Sequence, residues 1–595
     1  MASCRLAVAL CILFCATLVQ CKHVKFDFTL TWEVAAPAGV SRYVILNNGQ
    51  LPGPTMMLDE DDNVEVTVHN NMPFNTSIHW HGLEQLGTPW ADGVPGLSQK
   101  PIEPGCTYVY RFNASPYGTY WYHAHSRGNM QDGLYGSIYI QPKSGTPNPF
   151  HLISSHDDDI KAMQKAEKNP ALMLVTDWDY LTSWEYMDLQ AKTNLSNFCS
   201  DSILVNGKGN VYCPGLDFLV SLETPYVQYA LGNVPVTAKG CFPDIFNTQG
   251  PFLNYSHPEL LPPAFQDVCT ASNGSTGNET IHVDAKDKWA SINWISGASV
   301  KSLTVAIDEH PMWVYAVDGH YIEPQLVQTL SIWNGERYSV MIQLNNEPGN
   351  YTFRVADTGL DQTISAFATL AYAHPTRKTP TLPYINYAGT NVSADIVALN
   401  TNVLPPFNAP PVAKHADQMF YFQLGRLGYA WRYTANATMT YEMDRSAYQP
   451  LLWNLESDDA KDSNFALRTK NGTWVDLIFQ VGWDTAEPIE FPHSMHKHSN
   501  KAYIIGSNSG QWKWPSVDAA INEQPGSFDL DKPRYRDNFL TNNEGPAWIA
   551  VRYQVVNPGA WLLHCHIETH IQGGMAFAIL DGVDVWPETP DEYKN

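Results

Sequence analysis

The sequence predicts an all-β chain of three consecutive β-sandwich domains. Apolar residues alternate at period two in Val24, Phe26, Phe28, Leu30, Trp32 and Val34, the spacing that turns every second side chain to one sheet face. The 41 Pro, 39 Gly and 12% aromatic residues favour short strands and many turns over a helical bundle. A weak repeat adds the domain count. Gly118-Thr-Tyr-Trp-Tyr-His123, Gly349-Asn-Tyr-Thr-Phe-Arg354 and Gly559-Ala-Trp-Leu-Leu-His564 share a Gly, a two-residue step to an aromatic, and then a strand. Their wide spacing marks repeated domains and not solenoid units.

Along the chain, Arg5 followed by an apolar run from Leu6 to Val19 reads as a secretory signal over residues 1–21, with cleavage expected near Cys21. That run is too short to span a bilayer comfortably, and no later stretch is long and apolar enough for a membrane helix. The first domain is expected over residues 22–160, with a second strand pattern in Val64-Glu-Val-Thr-Val68. The stretch from Lys143 to Asn169, with a Gly-Thr-Pro-Asn-Pro turn and the run Asp157-Asp158-Asp159, reads as a linker. The second domain is expected over 161–385; its repeat ends in Arg354 where the other two end in His, so it carries no metal site of its own. Pro-rich sequence from His374 to His415 leads into the third domain, 386–595, where Ile549-Ala-Val-Arg-Tyr-Gln-Val555 alternates again.

Ten Asn-x-Ser/Thr sequons (Asn75, Asn113, Asn194, Asn254, Asn273, Asn278, Asn350, Asn391, Asn436 and Asn471) agree with export and glycosylation. The expected location is extracellular or the cell wall, with no membrane anchor. A net charge of −24 argues against nucleic acid, which needs a basic footprint, and suits a soluble protein that meets neutral or cationic small molecules; a monomer is expected. Four Cys fall in the signal, leaving Cys106, Cys199, Cys213, Cys241, Cys269 and Cys565. Secretion permits disulfides, but spacing does not give their pairing.

Four His-x-His pairs carry the chemistry: His79/His81, His123/His125, His496/His498 and His564/His566. In a strand, residues i and i+2 share a face, so each pair projects two imidazoles together. Imidazole suits copper, zinc, iron and nickel. The last pair brackets Cys565, which points to the opposite side, where His493, at an odd offset from His496, can meet it; His570 follows five residues on and Met575 ten. Two His, one Cys thiolate and a weak axial Met describe a blue-copper electron-transfer site. The eight paired His form a second, polynuclear site, more donors than one catalytic zinc needs.

The residues His79-Trp-His-Gly-Leu-Glu-Gln-Leu-Gly-Thr-Pro-Trp-Ala-Asp-Gly93, Gly118 to His125 continuing to Leu134, His493 to His498, and His564-Cys-His-Ile-Glu-Thr-His570 resemble the four copper signatures of the laccase-type multicopper oxidases. Leu51-Pro-Gly-Pro-Thr55, Val205-Asn-Gly207 and Asp318-Gly-His-Tyr-Ile-Glu-Pro324 match outside them, and the chain is most similar to ascomycete laccases of pigment synthesis. The resemblance implies three cupredoxin-like Greek-key sandwich/barrel domains and four copper ions. It assigns His493, Cys565 and His570, with axial Met575, to type 1 copper, and His79 and His496 to type 2. His81, His123 and His566 would hold one type 3 copper; His125, His498 and His564 would hold the other. This trinuclear site would lie between domains one and three. Asp92 and Glu568 match positions that deliver protons during dioxygen reduction; the alternative is a carboxylate that orients a His.

The resemblance further implies one-electron oxidation of a phenolic or naphtholic substrate, coupled to reduction of O2 to water. The alternative is a ferroxidase or another metal-oxidising relative. Three positions depart from the pattern: Ser494 replaces a usual Pro, Thr569 a frequent Trp, and Met575 the Leu or Phe of the strongest oxidants.

Overall fold

The computed structural model describes residues 22–594, apart from 127, 196–197, 231–233, 243–256, 276, 359–361, 428–429, 434–447, 464, 483–491 and 543–544. The expected signal and the sequons at Asn254 and Asn436 lie outside the described residues. The other eight sequons are at the surface, with Asn113, Asn273, Asn278, Asn350, Asn391 and Asn471 exposed and Asn75 and Asn194 partly buried.

Six sheets form three sandwiches in chain order. The first pairs a sheet ordered Arg42–Asn47, His23–Ala35, Asn63–Asn70, Thr107–Asn113 with one ordered Met56–Asp59, Tyr135–Gln141, Gly118–Ala124, Ile78–His81. The alternating residues explain this packing: Phe28, Leu30, Val64, Val66 and Val68 point inward and meet Trp80, Tyr120, Tyr122 and Ile138 of the other sheet. The second sandwich joins a six-stranded and a five-stranded sheet over Trp294, Val305, Phe353 and Val355. The third does the same over Leu477, Phe479, Trp561, Leu563 and Phe577. The three repeat motifs become the strands Gly118–Ala124, Asn350–Asp357 and Gly559–Cys565.

The stretch read as a linker contains an α-helix, Asp157–Glu167. Its first turn is acidic and its last turn holds Lys165, as the helix dipole favours. Met163 packs with Phe150, Trp289, Tyr315 and Tyr321 on the second sandwich. The mixed charge that suggested a linker is the helix's solvent side.

Two disulfides, Cys199–Cys241 and Cys213–Cys269, brace the second sandwich; Cys106 and Cys565 are free thiols. The first and third sandwiches meet through an apolar cluster in which Val94 and Leu97 pack with Leu451, Leu452, Ala560 and Leu562. Among the described residues, no helix is long and apolar enough to cross a membrane.

A candidate metal centre between the first and third sandwiches

Strand pairing assembles the histidines. Ile78–His81 runs antiparallel to Gly118–Ala124 with His79 opposite His123, and Ser494–Lys497 runs antiparallel to Gly559–Cys565 with His496 opposite His564. Opposed residues share a face, so each pairing presents a row of imidazoles. The two rows face each other across the sandwich boundary. The ring of His79 stacks on that of His498 and the ring of His81 on that of His496, each pair with centroids 3.8 Å apart.

The rings sort into three groups, in each of which the donor atoms lie within 4.8 Å of one another: His79, His81 and His496; His81, His123 and His566; and His125, His498 and His564. Their hydrogen bonds decide which nitrogen faces inward. The Nδ1–H groups of His79, His496, His123 and His564 donate to the carbonyl oxygens of Asp92, Asp537, Ala124 and Cys565 at 2.8, 3.0, 2.9 and 2.9 Å. Their Nε2 lone pairs are thereby turned to the centre. Among the described residues, Nε2 of His79, His123 and His496 and both ring nitrogens of His125 have no hydrogen-bond partner. His498 Nε2 stands 3.2 Å from His564 Nε2, and His566 Nε2 stands 3.1 Å from His81 Nδ1. Buried lone pairs do not converge in this way without a shared cation.

Protons are a poor choice for that cation. Burial, and next the neighbouring rings, holds His81, His123, His125, His496, His498 and His566 well below the ordinary imidazole range; His564 is lowered to about 3 by burial. Neutral imidazoles in this number suit transition-metal ions.

On the opposite face of the same strand, Cys565 Sγ lies 3.5 Å from His570 Nδ1 and 3.8 Å from His493 Nδ1, and the two ring nitrogens are 3.1 Å apart. All three are buried and form one potential metal group. Burial pushes the Cys565 thiol up to about 12 and His493 down to about 3, so a metal must displace the thiol proton on binding. Met575 sits in the same apolar cluster as Cys565. Its carbonyl accepts from Cys565 N and its own N–H donates to His570 O, both at 3.0 Å.

The two carboxylates differ. Asp92 is fully buried and its Oδ2 accepts from His498 Nδ1 at 2.8 Å, while its main-chain oxygen holds His79. Glu568 is held away from the rings: its Oε1 accepts from Gly128 N at 3.2 Å and Gln572 Nε2 at 2.9 Å, and burial raises its carboxyl to about 7.

Reading the sequence missed the second sandwich's part. Arg337 forms a bidentate pair with Asp537 at 2.6 and 2.7 Å, fully buried, and Asp537 Oδ1 lies 3.6 Å from His81 Nε2. Trp121 stacks on His123 with centroids 4.2 Å apart. No local pattern joins Arg337 to Asp537; only the Trp121 ring lay inside a recognised motif.

An all-β scaffold with a Cys-His-His group bonded directly to an eight-histidine cluster defines a copper-dependent oxidoreductase. Comparisons with known proteins give the family. Three sequence models of the multicopper oxidases match residues 29–145, 171–375 and 432–584. The chain is 52% identical over 586 residues to a multicopper oxidase of Gibberella zeae, covering 97% of this chain and 86% of the relative. It is 45% identical over 575 residues to a laccase of Aspergillus fumigatus, covering 96% and 97%. Among solved structures, the laccase from Botrytis aclada superposes with a TM-score of 0.69 at 22% identity, over 96% of this chain and 90% of that one. Fet3p, a multicopper oxidase that functions in iron import, superposes with a TM-score of 0.66 at 21% identity, over 96% and 94%. The chain belongs to the multicopper oxidase family, with the cupredoxin-like all-β fold of its members.

Proposed function

We propose that this protein is a secreted laccase: it oxidises phenolic or naphtholic substrates one electron at a time and reduces O2 to water. The observation that carries the reading is Cys565 lying between His564 and His566 at the end of the strand Gly559–Cys565, with its sulfur in one ligand group and its neighbours' rings in the histidine cluster. His493, Cys565 and His570, with Met575 as a further ligand, would hold a type 1 copper. His79 and His496 would hold a type 2 copper. His81, His123 and His566 would hold one type 3 copper, and His125, His498 and His564 the other, four ions in all. When bound, copper supplies the redox chemistry: single-electron acceptance beside Cys565 and multi-electron delivery to dioxygen within the histidine cluster.

The chain does the rest. Residues 564–566 join the two ligand groups through covalent bonds, and the hydrogen bond from His564 Nδ1 to Cys565 O, at 2.9 Å, adds a second connection. Asp92 orients His79 and His498 through its main-chain and side-chain oxygens. Glu568, with its carboxyl near 7, can hold and release a proton at neutral pH, as water formation requires. The proposed domain limits are 22–160, 161–385 and 386–595, with the trinuclear site between the first and third domains.

The laccase names of relatives at this identity support the substrate class. The apolar run at residues 6–19 and the surface sequons support secretion. Oxygen uptake by purified protein with dimethoxyphenol and with Fe(II) tests the activity. Efficient uptake with the phenol is expected. Uptake with Fe(II) alone would make the protein a metal oxidase, and none with either substrate at full copper loading would refute turnover.

A further inference from the structure

His81 is turned differently from the other rings of the cluster. Its Nδ1 faces His566 Nε2, and its Nε2 lies 3.1 Å from Asn538 Oδ1. What fixes that choice comes from the second sandwich, which among the described residues contributes no donor to the cluster. The main-chain oxygen of Asn334 can only accept, and Asn538 Nδ2 donates to it at 2.9 Å. The same amide nitrogen donates to Ser494 Oγ at 3.3 Å, and Ser494 Oγ–H donates to Asn334 O at 2.8 Å. The amide nitrogen of Asn538 is therefore committed, and its oxygen must face the ring. A facing oxygen demands Nε2–H on His81 and leaves the Nδ1 lone pair for the cluster.

Two further features hold the turn in place. Gly335 adopts φ +84°, and a Cβ there would stand 2.6 Å from Asn538 Nδ2 and 2.9 Å from both His566 Cδ2 and His81 Cε1; only glycine admits so close an approach. Arg337 occupies both oxygens of Asp537. The neutral amide of Asn538 is thus left as the nearer acceptor to His81, at 3.1 Å against 3.6 Å for the carboxylate.

We propose that the turn Asn334–Arg337 of the second sandwich is an orientation bracket for the trinuclear site. It acts through Asn538 and Ser494, positioning residues that hold His81 as the Nε2–H tautomer and so present Nδ1 to the metal. The Ser494 hydroxyl, absent from the Pro usual at this position, becomes part of the bracket. The proposal rests on the ligand assignment given above.

Asn538→Leu and Ser494→Ala test it. Copper-loaded wild type and variants are dialysed against graded chelator. Retained copper, the visible colour of the Cys565 site and the paramagnetic resonance of the cluster are followed together, with thermal midpoints of the metal-free proteins. Asn538→Leu is expected to lower the affinity of the cluster for copper by about 10- to 100-fold and to keep the Cys565 colour. The coupled, resonance-silent pair should be lost first. Ser494→Ala should shift the same readouts in the same direction by less. Wild-type retention of cluster copper by a folded Asn538→Leu, or equal loss from both copper sites, overturns the bracket. If Asn538→Leu does not fold, unchanged retention by Ser494→Ala overturns it. Wild type without the Cys565 colour would instead overturn the ligand assignment, whatever the variants do.

Discussion

Replacing Asp92 separates two roles that one carboxylate can fill. Asp92→Ala removes the acceptor for His498 Nδ1, now bonded at 2.8 Å in a fully buried setting. The orphaned N–H costs about 1–3 kcal/mol, which corresponds to roughly 10- to 100-fold weaker copper binding at the His125, His498 and His564 group. His79 keeps its bond to the main-chain oxygen of residue 92, so its orientation survives. Asp92→Asn keeps an acceptor oxygen for His498 but cannot pass on a proton. It should therefore retain copper yet turn over about 100- to 10,000-fold more slowly if the carboxyl also serves as acid or base. The assay is copper per chain after dialysis against chelator, beside kcat for oxygen uptake at full loading. Wild-type copper retention by Asp92→Ala would refute the orienting role. Wild-type kcat in Asp92→Asn would refute the proton role and leave the first intact.

Met575→Leu removes a thioether from the apolar cluster that holds Cys565; the Cys565 visible band should persist and the reduction potential should rise, and an unchanged potential would show that Met575 is not the axial group. Glu167, buried with its Oε1 accepting from Tyr321 OH at 2.6 Å, has its carboxyl raised by burial from 4.5 to about 7. Its neutral form thus stabilises the fold fully below 4.5, and that contribution is lost as pH rises through 7. Glu167→Gln should match wild type in urea unfolding at about pH 4.5 and exceed it by up to about 3 kcal/mol at about pH 8; equal stability at both would contradict the burial argument. The Cys213–Cys269 disulfide joins residues separated by 56 positions. Converting both to Ser should lower unfolding free energy by about 4 kcal/mol, with an unchanged Cys565 band; an unchanged midpoint in denaturant would show that this link does not restrain the chain.

Much of the site was legible because strand alternation is a local rule. Once His79, His81, His123, His125, His496 and His498 are read as extended, their shared faces follow from period two, and the opposed direction of Cys565 follows from the same parity. Antiparallel register then does the rest, setting His79 against His123 and His496 against His564. The supports around the ligands were not legible. Asn538, Asp537 and Arg337 support the cluster through contacts between residues 200 to 457 positions apart, and nothing in their neighbourhoods in sequence announces them. The tautomer of His81 is similarly hidden, since it depends on a carbonyl of the second sandwich. The helix Asp157–Glu167 was misread for a different reason. Its acidic first turn, apolar Ile160 and Met163, and terminal Lys165 carry a helical signal, but its run of charges has the composition of a solvated linker.

The central claim is that the run His564–His566 presents a sulfur to one copper site and two flanking imidazoles to another. Copper counted per purified chain, recorded on the same sample as the visible spectrum, tests it most directly. About four ions with an intense thiolate-to-Cu(II) band, and loss of that band but not of the cluster copper in Cys565→Ser, are expected. A fully reconstituted chain with no such band, or with a single ion, would contradict the account.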